Sequence, residues 1–180
     1  MILEPVTPFR SREYAVKLTS EAWEYQAARD LRRRVFCHEQ GLFDGDDGDA
    51  LDRRALTIVA LAYVAGGPDE VVGTVRIHSD RPGIWYGSRL AVARGYRRDA
   101  HLGSALIRLA VGSARARGGE AFFAQVQAAN EALFRALHWD SLRPLALHGR
   151  DHVLMRARLS HYPPLPDGRL PLLATGRRAS

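Results

Sequence analysis

Tyr96-Arg97-Arg98-Asp99-Ala100-His101-Leu102-Gly103-Ser104-Ala105-Leu106 decides how the rest of this chain is read. An apolar run ends just before it, at Leu90-Ala91-Val92. The loop that follows carries Arg94, Arg97, Arg98 and His101. From Gly103 a helical pattern begins, with Leu106, Ile107, Leu109, Ala110 and Val111 as its apolar face. Strand, basic loop and helix start together make an anion site. The first four N–H groups of a helix have no intrahelical partner, and the helix dipole adds partial positive charge there. Gly103 lets a ligand approach the backbone, and arginines add charge-assisted bonds to phosphate oxygens. Glycine-containing loops before helices are common, so the segment alone leaves an ordinary connection open.

The frame around it is that of one globular domain. The chain has 180 residues, 46% of them hydrophobic, enough for a real core. No apolar run approaches the ~20 residues that cross a bilayer. Met1-Ile2-Leu3-Glu4-Pro5 lacks the charged and apolar regions of a signal peptide. Cys37 is the single cysteine, which excludes an internal disulfide and suits a reducing cytoplasm. The net charge of +6 comes mostly from arginine. Those arginines are spread along the chain without interleaved aromatics, which argues against a nucleic-acid platform.

The pattern along the chain predicts β-α-β-β-β-α-β-α-β-β. Tyr14, Val16 and Leu18 alternate as a first strand, and Ser20 caps a helix whose expected buried face is Trp23, Ala27, Leu31 and Val35, ending near Gly41. Residues 44–52 form an acidic loop. Thr57–Ala65 and Glu70–His78 flank a hairpin at Gly66-Gly67-Pro68-Asp69. Ile84–Val92 leads into the basic loop, and Gly118-Gly119 stops the helix begun at Gly103. A strand at Phe122–Val126, a short helix at Asn130–His138 and strands near Pro144–Leu147 and Val153–Leu159 complete the order. The outline is an α+β domain over 12–160 with a mixed, mostly antiparallel sheet flanked by helices. Residues 1–11 are an extension, and 161–180 a Pro- and Arg-rich tail expected to be an extended arm or disordered.

Four segments resemble the GCN5-related N-acetyltransferase (GNAT) superfamily, in the family's order. The 96–106 segment resembles its motif A, (Arg/Gln)-x-x-Gly-x-(Gly/Ala), with Arg98 on the leading position, Gly103 on the last glycine and His101 replacing the first. A side chain there costs about 1–2 kcal/mol if the backbone must be left-handed. Leu31-Arg32-Arg33-Arg34-Val35-Phe36-Cys37-His38-Glu39-Gln40 resembles a Leu-Arg-x-x-Val-Phe-x-x-Glu-Gln signature. Asn130 through Trp139 resembles Asn-x-x-Phe-Tyr-x-x-x-Gly-Phe, and His152-Val153-Leu154-Met155 a His-x-x-Met pattern. The branch suggested is that of bacterial acetyltransferases associated with nitrogen starvation and nitrilase gene clusters.

The resemblance implies the GNAT fold and an enzyme moving an acetyl group from acetyl-CoA to the primary amine of a small molecule. It assigns the pyrophosphate to Arg97, Arg98, Asp99, Ala100, His101, Leu102, Gly103 and Ser104. It assigns the pantetheine arm to Leu90, Ala91 and Val92, the Val92 N–H facing the thioester oxygen, with Asn130 and Phe134 nearby. No metal is implied: the acidic loop fails the EF-hand pattern, with Gly48, Asp49 and Ala55 at positions 5, 6 and 12. A homodimer is common in such a family, and no nucleic acid or membrane partner is expected.

The acid–base pair departs from the family. Its acidic tyrosine is Phe134 here, and its usual glutamate base is Tyr86. Glu39, His152 and Tyr86 are the remaining candidates. Cys37 as a nucleophile is the alternative for a ping-pong route, although such a cysteine is more often a small buried hydrophobe. The acidic loop reads as a solvated turn, or else as a negative rim attracting a cationic amine. Two rivals follow: a catalytically degenerate acyl-CoA-binding sensor or partner protein, and a long-chain acyltransferase like the autoinducer synthases.

Overall fold

The computed structural model describes residues 13–98 and 101–174. β1 (Glu13–Leu18), β2 (Leu56–Val64), β3 (Gly67–Arg81), β4 (Ile84–Val92), β5 (Ala121–Gln127), β6 (Trp139–Leu147), β7 (Arg150–Ala157) and β8 (Leu173–Ala174) form one sheet. Its order is β6-β7-β5-β4-β3-β2-β1-β8. Only β4 and β5 run parallel, because helix α2 (Leu102–Ala116) carries the chain across the sheet between them. α1 (Ala22–Arg32) covers one face, while α2 and α3 (Glu131–Ala136) cover the other. The expected α+β class and element order are therefore present.

α2 is apolar nearly all round because it lies between the sheet and the C-terminal segment. Leu102, Leu106, Leu109 and Val111 are all at most 1% exposed. A Cβ on Gly112 would meet Leu165, so only glycine fits beneath that segment. Residues 162–174 are largely extended, in keeping with their prolines, but they are docked on the domain. Leu165 N–H donates to Gly112 O, Leu170 N–H to Val16 O, and β8 pairs with β1. Tyr162 is buried and accepts from Trp139 Nε1 while donating to the Leu137 carbonyl.

Two local expectations are corrected. The buried face of α1 is Glu24, Ala28, Leu31 and Arg32, while Trp23 lies at 43% exposure. Burial here is decided by polar partners. Glu24 pairs with Lys17 at 2.7 Å and accepts from the Ser20 and Glu21 N–H groups, and Arg32 reaches two aspartates. Beyond Arg32 the helix loosens into a π-helical stretch, Arg33–Glu39, which buries Val35 and Phe36 and ends before Gly41. The β2–β3 hairpin turns at Ala65-Gly66, both left-handed, rather than at the following Gly-Pro-Asp.

Candidate active site

β4 and β5 pair from Ile84↔Ala121 to Gly87↔Ala124, and the pairing stops there. Past that point β4 bulges. Thr74↔Ala91 and Arg76↔Ser88 leave an extra residue on β4, and Arg89 takes φ +55°. The strands diverge, and a cavity of about 750 Å³ occupies the opening. On the α2 side its walls include Leu90, Ile107, Asn130 and Phe134. On the α1 side they include Phe43, Arg76, His78, Tyr86, Gln127 and His152.

The edge of β4 faces this opening. Ala93 N–H donates to Val72 O at 2.8 Å. Alternation along an antiparallel strand then turns the N–H and C=O of Val92 away from β3. The Val92 carbonyl is taken by Arg97 Nε at 3.0 Å. Leu90 and Val92 pack toward the α2 core, and Ala91 is buried toward α1.

The loop after β4 starts α2 through a left-handed residue. His101 has φ 51° and ψ 40°, so the histidine in the glycine position carries the strain its Cβ implies. Ser104 Oγ donates to the His101 carbonyl at 2.8 Å. Among the described residues, an added Cβ on Gly103 would meet nothing within 4 Å. Arg98 is exposed, whereas Arg97 is held between Val92 O and the Glu39 carboxylate, 2.5 Å away. Asp99 and Ala100 lie outside the described residues.

Glu39 is thus joined to the basic loop and is absent from the cavity wall among the described residues. Tyr86 and His152 do reach the cavity. His152 shares a face with Gln127, its β5 partner, and is only 7% exposed. Its Nδ1 lies 3.0 Å from the Arg150 carbonyl. With Nδ1–H donating to that carbonyl, Nε2 carries the lone pair. Asn130 immediately precedes α3, and Phe134 is buried edge-on to Trp139 with centroids 5.0 Å apart.

His78 was not singled out from sequence. It pairs with Tyr86 across β3 and β4, and their rings stack with centroids 5.6 Å apart. Its Nδ1 is buried without a hydrogen-bond partner. Burial, then the Arg76 and Arg54 cations, hold the imidazole below the usual histidine range. No spacing rule marks it, because only strand register brings it beside Tyr86.

The acidic loop is a solvated turn only in part: residues 44–46 and 48–50 are exposed, but Asp47, Asp49 and Asp52 turn their carboxylates to arginines instead of offering them to a cationic amine. Asp47 is 2% exposed and binds Arg32 Nε at 2.8 Å and Arg89 Nε at 2.9 Å. Asp52 bridges Arg32 and Arg76, and Asp49 bridges Arg76 and Arg89. Three carboxylates thereby meet three guanidiniums, and the loop forms the floor of the cavity. Burial, then Asp47 and Asp46, push the Cys37 thiol up, leaving it a poor nucleophile.

The profile of the acetyltransferase (GNAT) family matches residues 16–138 of the sequence. The chain belongs to the GNAT acetyltransferase family. It is accordingly an acyl-CoA-dependent N-acyltransferase, and the acyl-CoA is its substrate. No curated protein matches it in sequence. Similar solved structures include an acyl-CoA N-acyltransferase from Pseudomonas aeruginosa (TM-score 0.64, 21% identity), covering 80% of this chain and 98% of that one. Escherichia coli ElaA gives a TM-score of 0.66 at 18% identity, covering 81% and 98%. The AHL synthase LasI gives 0.62 at 16%, covering 81% and 89%. At these identities the likeness is one of fold. Among the described residues of this GNAT chain, no helix is long and apolar enough to cross a membrane.

Proposed function

We propose that this GNAT enzyme transfers the acetyl group of acetyl-CoA to the primary amine of a small molecule, by direct attack in a ternary complex. The observation that carries the reading is the opening between β4 and β5. It holds a cavity whose α1-side wall carries a buried histidine, and β4 runs on from it into the basic loop that precedes Gly103. Arg98 and the backbone from His101 to Ser104 hold the pyrophosphate, with Asp99 and Ala100 between them. Arg97, paired to Glu39, fixes the end of β4, and Glu39 acts as its positioning partner. Leu90, Ala91 and Val92 line the pantetheine arm, and the Val92 N–H stabilises the thioester oxygen as it gains charge.

His152 Nε2 accepts the proton of the acceptor's ammonium. The freed nitrogen attacks the carbonyl carbon, the C–S bond breaks, and the sulfur leaves as thiolate. His152 returns the first proton to solvent, and a second leaves the nitrogen as the amide forms and passes through water to that thiolate. Phe134 cannot supply it, and Tyr86 contributes through its contact with His78. Residues 12–160 carry the site, and the protein works in the cytoplasm.

Calorimetry with acetyl-CoA, followed by thiol release across an amine panel, tests this reading. Binding lost in Arg98→Ala and Gly103→Asp, with turnover but not binding lost in His152→Ala, supports it. Binding without thiol release from any amine would favour a sensor in place of an enzyme, the reading that Phe134 motivates.

A further inference from the structure

The α1 side of the cavity carries a guanidinium that this chemistry does not use. Arg89 sits in the β4 bulge, directly before Leu90, at φ +55°. A left-handed backbone costs a non-glycine residue about 1–2 kcal/mol. The surrounding contacts maintain it there. Arg89 Nε binds Asp47 Oδ2 at 2.9 Å, Nη2 binds the Asp47 carbonyl at 2.9 Å, and Nη2 also reaches Asp49 at 3.4 Å. The Phe43 ring lies under the guanidinium, 4.5 Å from its carbon. One edge of a planar fork is therefore fixed, and among the described residues Nη1 has no hydrogen-bond partner.

Its neighbours are saturated by comparison. Arg32 is divided between Asp47 and Asp52, and Arg76 is held by Asp49, Asp52 and Ser88. Both are 2% exposed, whereas Arg89 is 17% exposed and lines the cavity. Desolvation, then Arg76, push the Arg89 pKa down, against the opposing pull of Asp47. Its unpartnered Nη1 leaves donors that an anion in the cavity could take. The carboxylates that could have attracted a cationic acceptor are already engaged by arginines.

We propose that Arg89 Nη1 binds a carboxylate on the acceptor, so that the substrate is an amino acid or a similar carboxylate-bearing amine. The inference rests on the acyltransferase reading above. Amine and carboxylate are then held on one side of the opening, with the amine near the Leu90–Val92 edge.

The test is thiol release from acetyl-CoA with the common amino acids, their amides and their decarboxylated amines. An amino acid accepted with KM about tenfold or more below that of its amide is expected, as one lost charge-assisted bond implies. Arg89→Lys keeps a cation beside Asp47 but lacks the second edge. It should erase the preference by raising KM for the acid alone, with acetyl-CoA affinity unchanged as proof of folding. Equal KM for acid and amide, a preference for polyamines, or a preference surviving in Arg89→Lys overturns the assignment while leaving the acyltransferase intact. No thiol release from any amine overturns both.

Discussion

The two sides of the cavity are built in opposite ways. The loop entering α2 is a backbone device: a left-handed His101, an uncrowded Gly103 among the described residues and exposed Arg98. The floor under α1 is a side-chain device, in which Asp47, Asp49 and Asp52 hold the buried Arg32 and Arg76 and the part-exposed Arg89. A backbone site can be changed at one residue with little effect on folding. A buried ion network cannot, because removing one partner leaves a charge unpaired. Binding and stability should therefore separate cleanly between the two sides.

The largest effect that would break this contrast is expected at Asp47. Asp47→Ala leaves Arg32 and Arg89 without their shared partner, and the loss should be about 3–5 kcal/mol, read by urea unfolding. The exposed Arg158–Asp140 pair, 2.5 Å apart, provides the control, and Asp140→Ala should leave the unfolding midpoint unchanged. A comparable loss at both would mean that burial does not set the worth of these pairs.

His152→Ala should come next, lowering kcat by about a hundredfold or more while acetyl-CoA affinity stays constant. Gly103→Asp sets a negative side chain at the helix start. It should weaken acetyl-CoA by about tenfold or more with the unfolding midpoint preserved.

The smallest effect sharpens the picture of the floor. Burial raises the Asp52 and Asp49 pKa values, but hydrogen bonds from Arg32 and Arg76 outweigh it and hold both below the ordinary carboxylate range. The unfolded chain then takes up these protons first as pH falls. The network's stabilisation is present above about pH 4 and is lost progressively below it. Unfolding followed at several pH values should show this loss in the wild type and less of it in Asp52→Asn.

The same contrast explains what the sequence could tell. Ile84–Val92 and the α2 helix were readable because strand alternation and helical periodicity are local, and His101 in a glycine position announced its own strain. The acidic loop was misleading because its partners are far away in sequence: Arg32 on α1, Arg76 on β3 and Arg89 on β4. Composition shows six acidic or glycine residues in a row as solvated, and only the folded chain brings Arg32 of α1 together with Arg76 and Arg89 of the sheet against them. His78 was hidden for the same reason, since its meaning lies in its register with Tyr86. The buried face of α1 was misplaced because Glu24 and Arg32, polar by type, are buried through their pairs.

The central claim is direct transfer within the β4–β5 opening, and initial-rate kinetics of thiol release test it most directly. With acetyl-CoA and an accepted amine varied together, double-reciprocal lines should intersect, and intact-protein mass should show no acetylated enzyme when acetyl-CoA is added alone. Parallel lines together with an acetyl group on Cys37 would contradict the account.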